Sequence, residues 1–205
     1  DCLLSRGLGD VYKRQGIVCP ICYENIDGIE LDEPVFIMFR SSGGKRKGLL
    51  EFPGGRRDIS DKSTRDTAAR EAFEETCEYL DIDPDDLIGM PHKLLLKTSV
   101  VYYVRVNMMT NFVFQKNLEI ERLADQHPGN EDHHDENDHN VFLEMDKLVR
   151  IPISEFHGPY PTSKKQYSVT SDTGKKYKVW NIAACAAWNA AYEPQHGDSI
   201  IDVMS

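Results

Sequence analysis

At 205 residues, with 40% hydrophobic and 28% charged residues, the chain has the size and composition of one soluble globular domain with a sizeable core. It holds no run of about 18 apolar residues, so no membrane-spanning helix is expected. A formal net charge of −10 excludes a broad nucleic-acid-coating surface, which needs a basic footprint, but leaves room for a local basic groove. Cysteines at 2, 19, 22, 77 and 185 make no disulfide framework in a chain of this length, and reduced thiols point to the cytoplasm.

Residues 1–15, DCLLSRGLGDVYKRQ, differ in character from the rest and resemble translated adapter sequence at the ends of metagenomic reading frames. Such a leader carries no fold information, and no targeting signal is read from this end. Arg6, Lys13 and Arg14 against Asp1 and Asp10 give it +1, which leaves −11 for the domain expected over 16–205. Gly16 to Tyr23 is a β-rich run, Glu24 to Gly28 a turn, and Pro34 to Arg40 (PVFIMFR) a clearer strand. Cys19-Pro-Ile-Cys22 has the spacing of half a zinc site. No second Cys-x-x-Cys or spaced Cys/His pair follows, so two cysteines in a half-buried strand is the better reading. Ser41 to Gly48 (SSGGKRKG) is a basic loop, and Leu49 to Phe52 is a strand. Lys45, Arg46 and Lys47 are either solvated loop charges or groups that steer and hold a polyanionic substrate. Arg56 and Arg57 carry the same two readings.

The stretch from Phe52 to Leu80, FPGGRRDISDKSTRDTAAREAFEETCEYL, organises the rest. A Pro53-Gly54-Gly55 turn opens it. A helix is expected from Thr64, with Ser63 and Asp66 as a capping pair. At 3.6 residues per turn, Glu71, Glu75 and Glu78 share a face with Glu74 beside them, while Ala69, Ala72, Phe73, Cys77 and Leu80 form the packing stripe. Four carboxylates this close repel one another and call for a cation. Magnesium or manganese suits such oxygen ligands. The alternative is a solvated helix face partly balanced by Arg65 and Arg70.

These residues resemble the signature of the Nudix hydrolases, G-x5-E-x7-R-E-U-x-E-E-x-G-U with U apolar. Gly55 supplies the first glycine, Asp61 stands at the glutamate after it, and Arg70-Glu71-Ala72-Phe73-Glu74-Glu75 matches R-E-U-x-E-E. Phe52-Pro53-Gly54 fits the usual lead-in. Two departures stand out. Eight residues rather than seven separate Asp61 from Arg70, so that Lys62 falls on the glutamate position when counted back from Arg70. Cys77 replaces the glycine that ends the helix, and without that left-handed cap the helix should run on toward Asp81 before Pro84 stops it.

The resemblance implies an α/β fold, an α/β/α sandwich around a mixed sheet, and metal-dependent hydrolysis of a diphosphate linked to another group. It implies Mg2+ or Mn2+ held by Glu71, Glu74 and Glu75 with a backbone carbonyl of Gly54 or Gly55. Glu71 could instead serve as base, Asp61 could complete the shell, and Arg70 would brace the loop against the helix. The expected substrate is a phosphorylated small molecule of nucleoside-diphosphate type. Dinucleotides, sugar nucleotides, diphosphoinositol polyphosphates, coenzyme A and capped RNA also serve relatives. The rival reading, a binding or regulatory protein of the same fold, draws on the extra loop residue, Lys62 and Cys77.

Downstream, Asp83-Pro84-Asp85-Asp86 begins a turn, and Leu94 to Asn107 (LLLKTSVVYYVRVN) is a buried strand or hairpin member. Asn111 to Gln115 reads as a strand, and Leu118 to Gln126 as helix or strand. Asp125 to Asn140 is an acidic, His-rich insertion. It is a disordered loop on composition, with a metal-binding reading through His127, His133, His134 and His139. Val141 to Glu144 resumes as a strand, and Glu144 is a further candidate ligand or base. Asp146 to Phe156 resembles the family's late segment, where a strand passes into a loop over the substrate. Tyr167 to Val179 is a hairpin turning at Ser171-Asp172-Thr173-Gly174. Val179 to Tyr192, apolar and alanine-rich, is a helix covering one sheet face, with Trp180 and Trp188 in the core.

Overall fold

In the computed structural model the described residues are 14–25, 30–76, 78–95, 98–108, 113, 116–118, 120, 145–162, 167–192 and 200–202. Along β1 (Gln15–Asn25), Ile17, Cys19 and Ile21 enter one core while Val18 and Cys22 enter another. Along β2 (Glu30–Ser41), Phe36 and Met38 enter the first, and Val35, Ile37 and Phe39 the second. Strands apolar on both faces need cover on both. α1 (Thr64–Glu75) supplies it on one side through Ala68, Ala69 and Ala72, and α2 (Asn181–Tyr192) on the other through Ala183, Ala184, Ala186, Ala187 and Ala190. Alanine faces let both helices sit close to the sheet. The result is the expected α/β/α sandwich. None of the described helices is long and apolar enough to cross a membrane.

The remaining strands are β3 (Leu49–Glu51), β4 (Gly54–Arg56), β5 (His92–Leu95), β6 (Ser99–Met108), β7 (Met145–Pro152), β8 (Tyr167–Thr170), β9 (Lys176–Val179) and β10 (Ile200–Asp202). They join one mixed sheet in the order β10-β6-β1-β2-β3-β9-β8, with β4 on β1, β5 on β6 and β7 on β2. Phe36 lies opposite Ile21 of β1 on one side and Ile151 of β7 on the other, while Phe39 lies between Glu51 of β3 and Leu148 of β7. β1 and β3 therefore share one edge of β2. Between them the chain crosses to the edge of β1 through Phe52 and Pro53, and the Pro53 carbonyl accepts from the Val18 N–H at 2.9 Å. The Pro-Gly-Gly stretch is thus more than a turn, because Gly54–Arg56 pairs with Gln15–Ile17. This split in the sheet sets Gly54 and Gly55 beside α1.

Several expectations change. α1 stops at Glu75 rather than running toward Asp81. The Thr76 hydroxyl donates to the Ala72 carbonyl at 2.6 Å and accepts from the Leu80 N–H at 2.8 Å, and Glu78, with φ of 68°, donates its N–H to the Phe73 carbonyl at 2.8 Å. Glu78 consequently leaves the helix, and Phe73 is 37% exposed. Ala69, Ala72 and Leu80 pack as expected, but with Ala68 and Glu75 rather than Phe73, which turns the Glu75 carboxylate inward. A left-handed conformation costs a residue with a Cβ about 1 kcal/mol. Glu78→Gly should therefore stabilise the fold by about 0.5–1 kcal/mol in urea unfolding, and a loss of stability would count against this helix end.

Cys19 and Cys22 are fully buried on opposite faces of β1, so they cannot share a zinc ion. Val113, the one described residue of 111–115, is helical rather than extended. Trp180 and Trp188 are half-buried rather than core: the Arg46 guanidinium lies over Trp180 at 4.9 Å, and Trp188 Nε1 donates to the Gly158 carbonyl at 2.8 Å. Leu94 to Asn107 divides into the antiparallel pair β5 and β6, and the β8–β9 hairpin turns where expected. Gln15, counted with the leader, is the first residue of β1, opposite Arg56 and Ser99. Residues 1–13, Cys77, 125–140 and Val141 to Glu144 lie outside the described residues.

Candidate functional site: an acidic cluster under a glycine strand

Ser63 starts α1 from an extended backbone. Its Oγ accepts from the N–H groups of Arg65 (3.2 Å) and Asp66 (3.3 Å) and donates to Asp66 Oδ2 at 2.6 Å. The expected capping pair is formed, and Asp66 opposes the positive helix end. Thr64 Oγ1 and the Tyr102 hydroxyl meet at 2.7 Å, tying this turn to β6.

Asp61 turns inward from the preceding loop and is only 6% exposed. It accepts from the Asp58 N–H (2.8 Å), Thr67 Oγ1 (2.9 Å), Arg70 Nε (3.3 Å) and Arg70 Nη2 (3.1 Å). Burial pushes its pKa up, and the hydrogen bonds from Arg70, the Asp58 N–H and Thr67 outweigh that, holding the carboxyl below its usual range. Lys62, its rival for the motif position, is exposed.

Arg70 is the hub. Beyond Asp61, its Nη1 donates to Glu74 Oε2 at 2.8 Å, and its Nη2 donates to Glu71 Oε1 at 2.9 Å and the Arg56 carbonyl at 3.3 Å. Burial works against the Arg70 charge, but the hydrogen bonds and charges of Asp61, Glu71 and Glu74 prevail and hold the guanidinium above its ordinary pKa. Glu75, 7% exposed, accepts the Gly54 N–H on Oε2 at 2.7 Å. The Glu71 carboxylate lies so close to Gly55 that a Cβ there would fall 2.2–2.4 Å from it. Glycine strand and acidic helix interlock, and each requires the other's shape.

Asp61, Arg70, Glu71, Glu74, Glu75 and Gly55 are thus brought together as the motif suggested. Among the described residues no group of three or more His, Cys, Asp or Glu side chains is arranged to hold a metal ion, and the cation amid these carboxylates is Arg70. The basic candidates divide. Arg46 pairs with the buried Glu51 at 2.5 Å under its contact with Trp180, and Arg57 donates to the Asp61 carbonyl at 2.8 Å and to the Lys62 carbonyl, so both brace loops. Lys45, Lys47 and Arg56 are exposed at opposite ends of the β3–β4 stretch. Sequence reasoning missed Thr67, fully buried against Asp61, and Gly16, on which α1 rests. The available signal for Thr67 was its place three residues before Arg70, on the same face of the expected helix.

The lowered pKa of Asp61 has a definite sign. Its ionised form favours the folded state, so its contribution is complete above the unfolded value near 4 and is lost as pH falls through the lower folded value. Asp61→Asn should cost about 2 kcal/mol at pH 7, since one buried partner of Arg70 disappears. In urea unfolding the gap between the two proteins should narrow below about pH 4. A gap of constant size down to pH 2.5 would mean that the Asp61 charge is not what matters.

No protein-family model matches the chain, and no curated protein matches it. Among solved structures it is similar to a MutT/nudix family protein from Enterococcus faecalis, at 17% identity over 47% of this chain with a TM-score of 0.34; the chain spans only 38% of that protein. It is also similar to a mutT/nudix family protein from Listeria innocua, at 17% identity over 70% of this chain and 80% of that one, with a TM-score of 0.36. A third likeness is to the NUDIX domain of Shewanella oneidensis NrtR complexed with ADP ribose, at 13% identity over 53% of this chain and 86% of that one, with a TM-score of 0.32. Likeness of this depth fixes no activity.

Proposed function

We propose that this protein hydrolyses a pyrophosphate linkage in a nucleoside-diphosphate-type or other diphosphate-containing small molecule, with Mg2+ or Mn2+. The observation that carries the reading is the gathering of three glutamates on one stretch of α1, Glu75 and Glu71 against the Gly54–Gly55 backbone and Glu74 beside them on Arg70. The donor set is all oxygen, three carboxylates and a nearby carbonyl, which fits a hard divalent ion. Glu71, Glu74, Glu75 and the Gly55 carbonyl would hold it. When bound, such an ion neutralises phosphate oxygens and makes an attacking water more acidic.

The chain's own residues do the positioning. Arg70 offsets the repulsion among Glu71, Glu74 and Asp61 and so keeps three negative groups within a few ångströms of one another. The Gly54 N–H orients Glu75. Glu71, against Gly55, would serve either as a ligand of the ion or as the base that accepts a proton from water, and the exposed Lys45, Lys47 and Arg56 would attract a polyanionic substrate. Phosphoryl transfer asks mainly for positioning and charge stabilisation, which suits so polar a cluster.

The second reading, a ligand-binding or regulatory protein with weak catalysis, is favoured by Arg70 itself, whose guanidinium already neutralises Glu71 and Glu74. The deciding experiment is phosphate release, after phosphatase coupling, from a panel of diphosphate compounds in magnesium, manganese or chelator. Metal-dependent turnover that disappears in Glu74→Gln and Glu75→Gln supports hydrolysis. Thermal stabilisation by a diphosphate compound without turnover favours the binding reading. Neither turnover nor stabilisation by ion or compound sinks both.

A further inference from the structure

Away from the acidic cluster, the β8–β9 turn reaches the edge of β7 that does not pair with β2. There the Asp172 N–H donates to the Arg150 carbonyl at 3.2 Å, and Arg150 Nε donates to Asp172 Oδ2 at 2.6 Å. A cavity of about 250 Å3 opens at this seam, and none of the α1 acids lines it. One wall is fixed by Asn117, whose carboxamide satisfies both the N–H (2.8 Å) and the carbonyl (3.0 Å) of Leu148. That leaves the polar lining to Lys147, Arg150, Asp172, Thr173, Lys175 and Tyr177.

The charges do not balance. Asp172 is taken by Arg150, while neither Lys147 nor Lys175 has a carboxylate partner among the described residues. Lys175 instead holds its ammonium 5.5 Å from the Tyr177 ring centroid. In a chain of net charge −10, this cavity is lined by three cations, Lys147, Arg150 and Lys175, against the single carboxylate of Asp172, an excess that a bound anion would balance. Burial raises the Tyr177 pKa, the nearby Arg40 charge lowers it, Asp146 and Asp172 raise it again, and the phenol remains a protonated donor at neutral pH. Two ammoniums and a phenol hydroxyl beside the Arg150–Asp172 pair, over an apolar floor, give the lining an excess of positive charge and of donors, which is what a tetrahedral oxyanion recruits.

We propose that this cavity binds a phosphate group, free or as the monoester of a small metabolite, at a site separate from the acidic cluster of α1. The volume accommodates a phosphate with a small attached group and is too small for a whole dinucleotide, since drug-sized ligands occupy about 300–1,000 Å3.

The test is a titration of the full chain with inorganic phosphate and, separately, ribose 5-phosphate, in chelator so that nothing binds through a metal. Backbone amide shifts are followed by NMR. Saturable shifts confined to residues 147–150 and 172–177 are expected, weakened at least about tenfold in Lys147→Met/Lys175→Met and unchanged in Glu71→Gln. The tighter of the two ligands identifies free phosphate or monoester as the occupant. Lys175→Gln alone, on an exposed residue that leaves folding intact, should weaken binding about threefold. Linear, unsaturated shifts with both ligands, or equal affinity in the folded double variant, would overturn the proposal.

Discussion

On the proposed function, glutamine in place of Glu75 should lower metal-dependent turnover at least ~100-fold, equivalent to about 2.7 kcal/mol of transition-state stabilisation. Glu75 carries this expectation because it is the most enclosed of the three α1 glutamates and its Oε2 is already held by the Gly54 N–H at 2.7 Å. Glutamine keeps an acceptor oxygen for that N–H and nearly the same shape, so the interlock of helix and glycine strand survives. What disappears is the charge. The loss should therefore fall on the rate, with unfolding free energy changing by no more than about 1 kcal/mol. Initial rates across a metal titration, beside urea unfolding of the same preparation, read both quantities. Glu78→Gln is the control, since Glu78 lies beyond the helix and is exposed. A folded Glu75→Gln protein with full activity would falsify the role given to this carboxylate.

How much of this site could be read in the sequence depends on how local each interaction is. The cap of α1 is local, since Ser63 and Asp66 are three residues apart, and it forms as expected. The sandwich was expected only through the resemblance; in the structure β1, read as half-buried, and β2 are apolar on both faces, which calls for cover on both. The end of α1 was not legible. Thr76 replaces the missing glycine cap with a side-chain hydroxyl that serves Ala72 and Leu80 at once, and threonine there has no distinctive signature. Nor could the sequence separate Arg46 from Lys45 and Lys47. Arg46 is claimed by Glu51, inside a hairpin, and by Trp180, far along the chain, so its bracing role exists only once β9 lies beside β3. The extra loop residue raised the choice between Asp61 and Lys62. In the structure it is Asp61 that reaches Thr67 and Arg70, while Lys62 is exposed.

Gly16→Ala should cost at least about 3 kcal/mol, the largest effect on stability of any single methyl group in the site. A Cβ at Gly16 would lie 2.2 Å from the Thr64 carbonyl oxygen and 2.6 Å from the Ala68 nitrogen. Both are backbone atoms in the first turns of α1, so no rotamer change relieves the clash and the helix must lift from β1. Lifting it pulls Thr67 from Asp61 and moves Arg70 relative to the glutamates, so activity should fall together with stability. Gly43→Ala is the contrast: a Cβ there meets nothing within 4 Å, and the change should stay within about 0.5 kcal/mol. Urea midpoints for the two variants give the comparison directly. If Gly16→Ala proves as stable as Gly43→Ala, α1 does not rest on β1 at this point, and the close approach that sets Glu71 and Glu75 against Gly54 and Gly55 must be built from another contact. If it unfolds readily, a residue with no chemistry of its own is what holds the acidic cluster in register with the glycine strand.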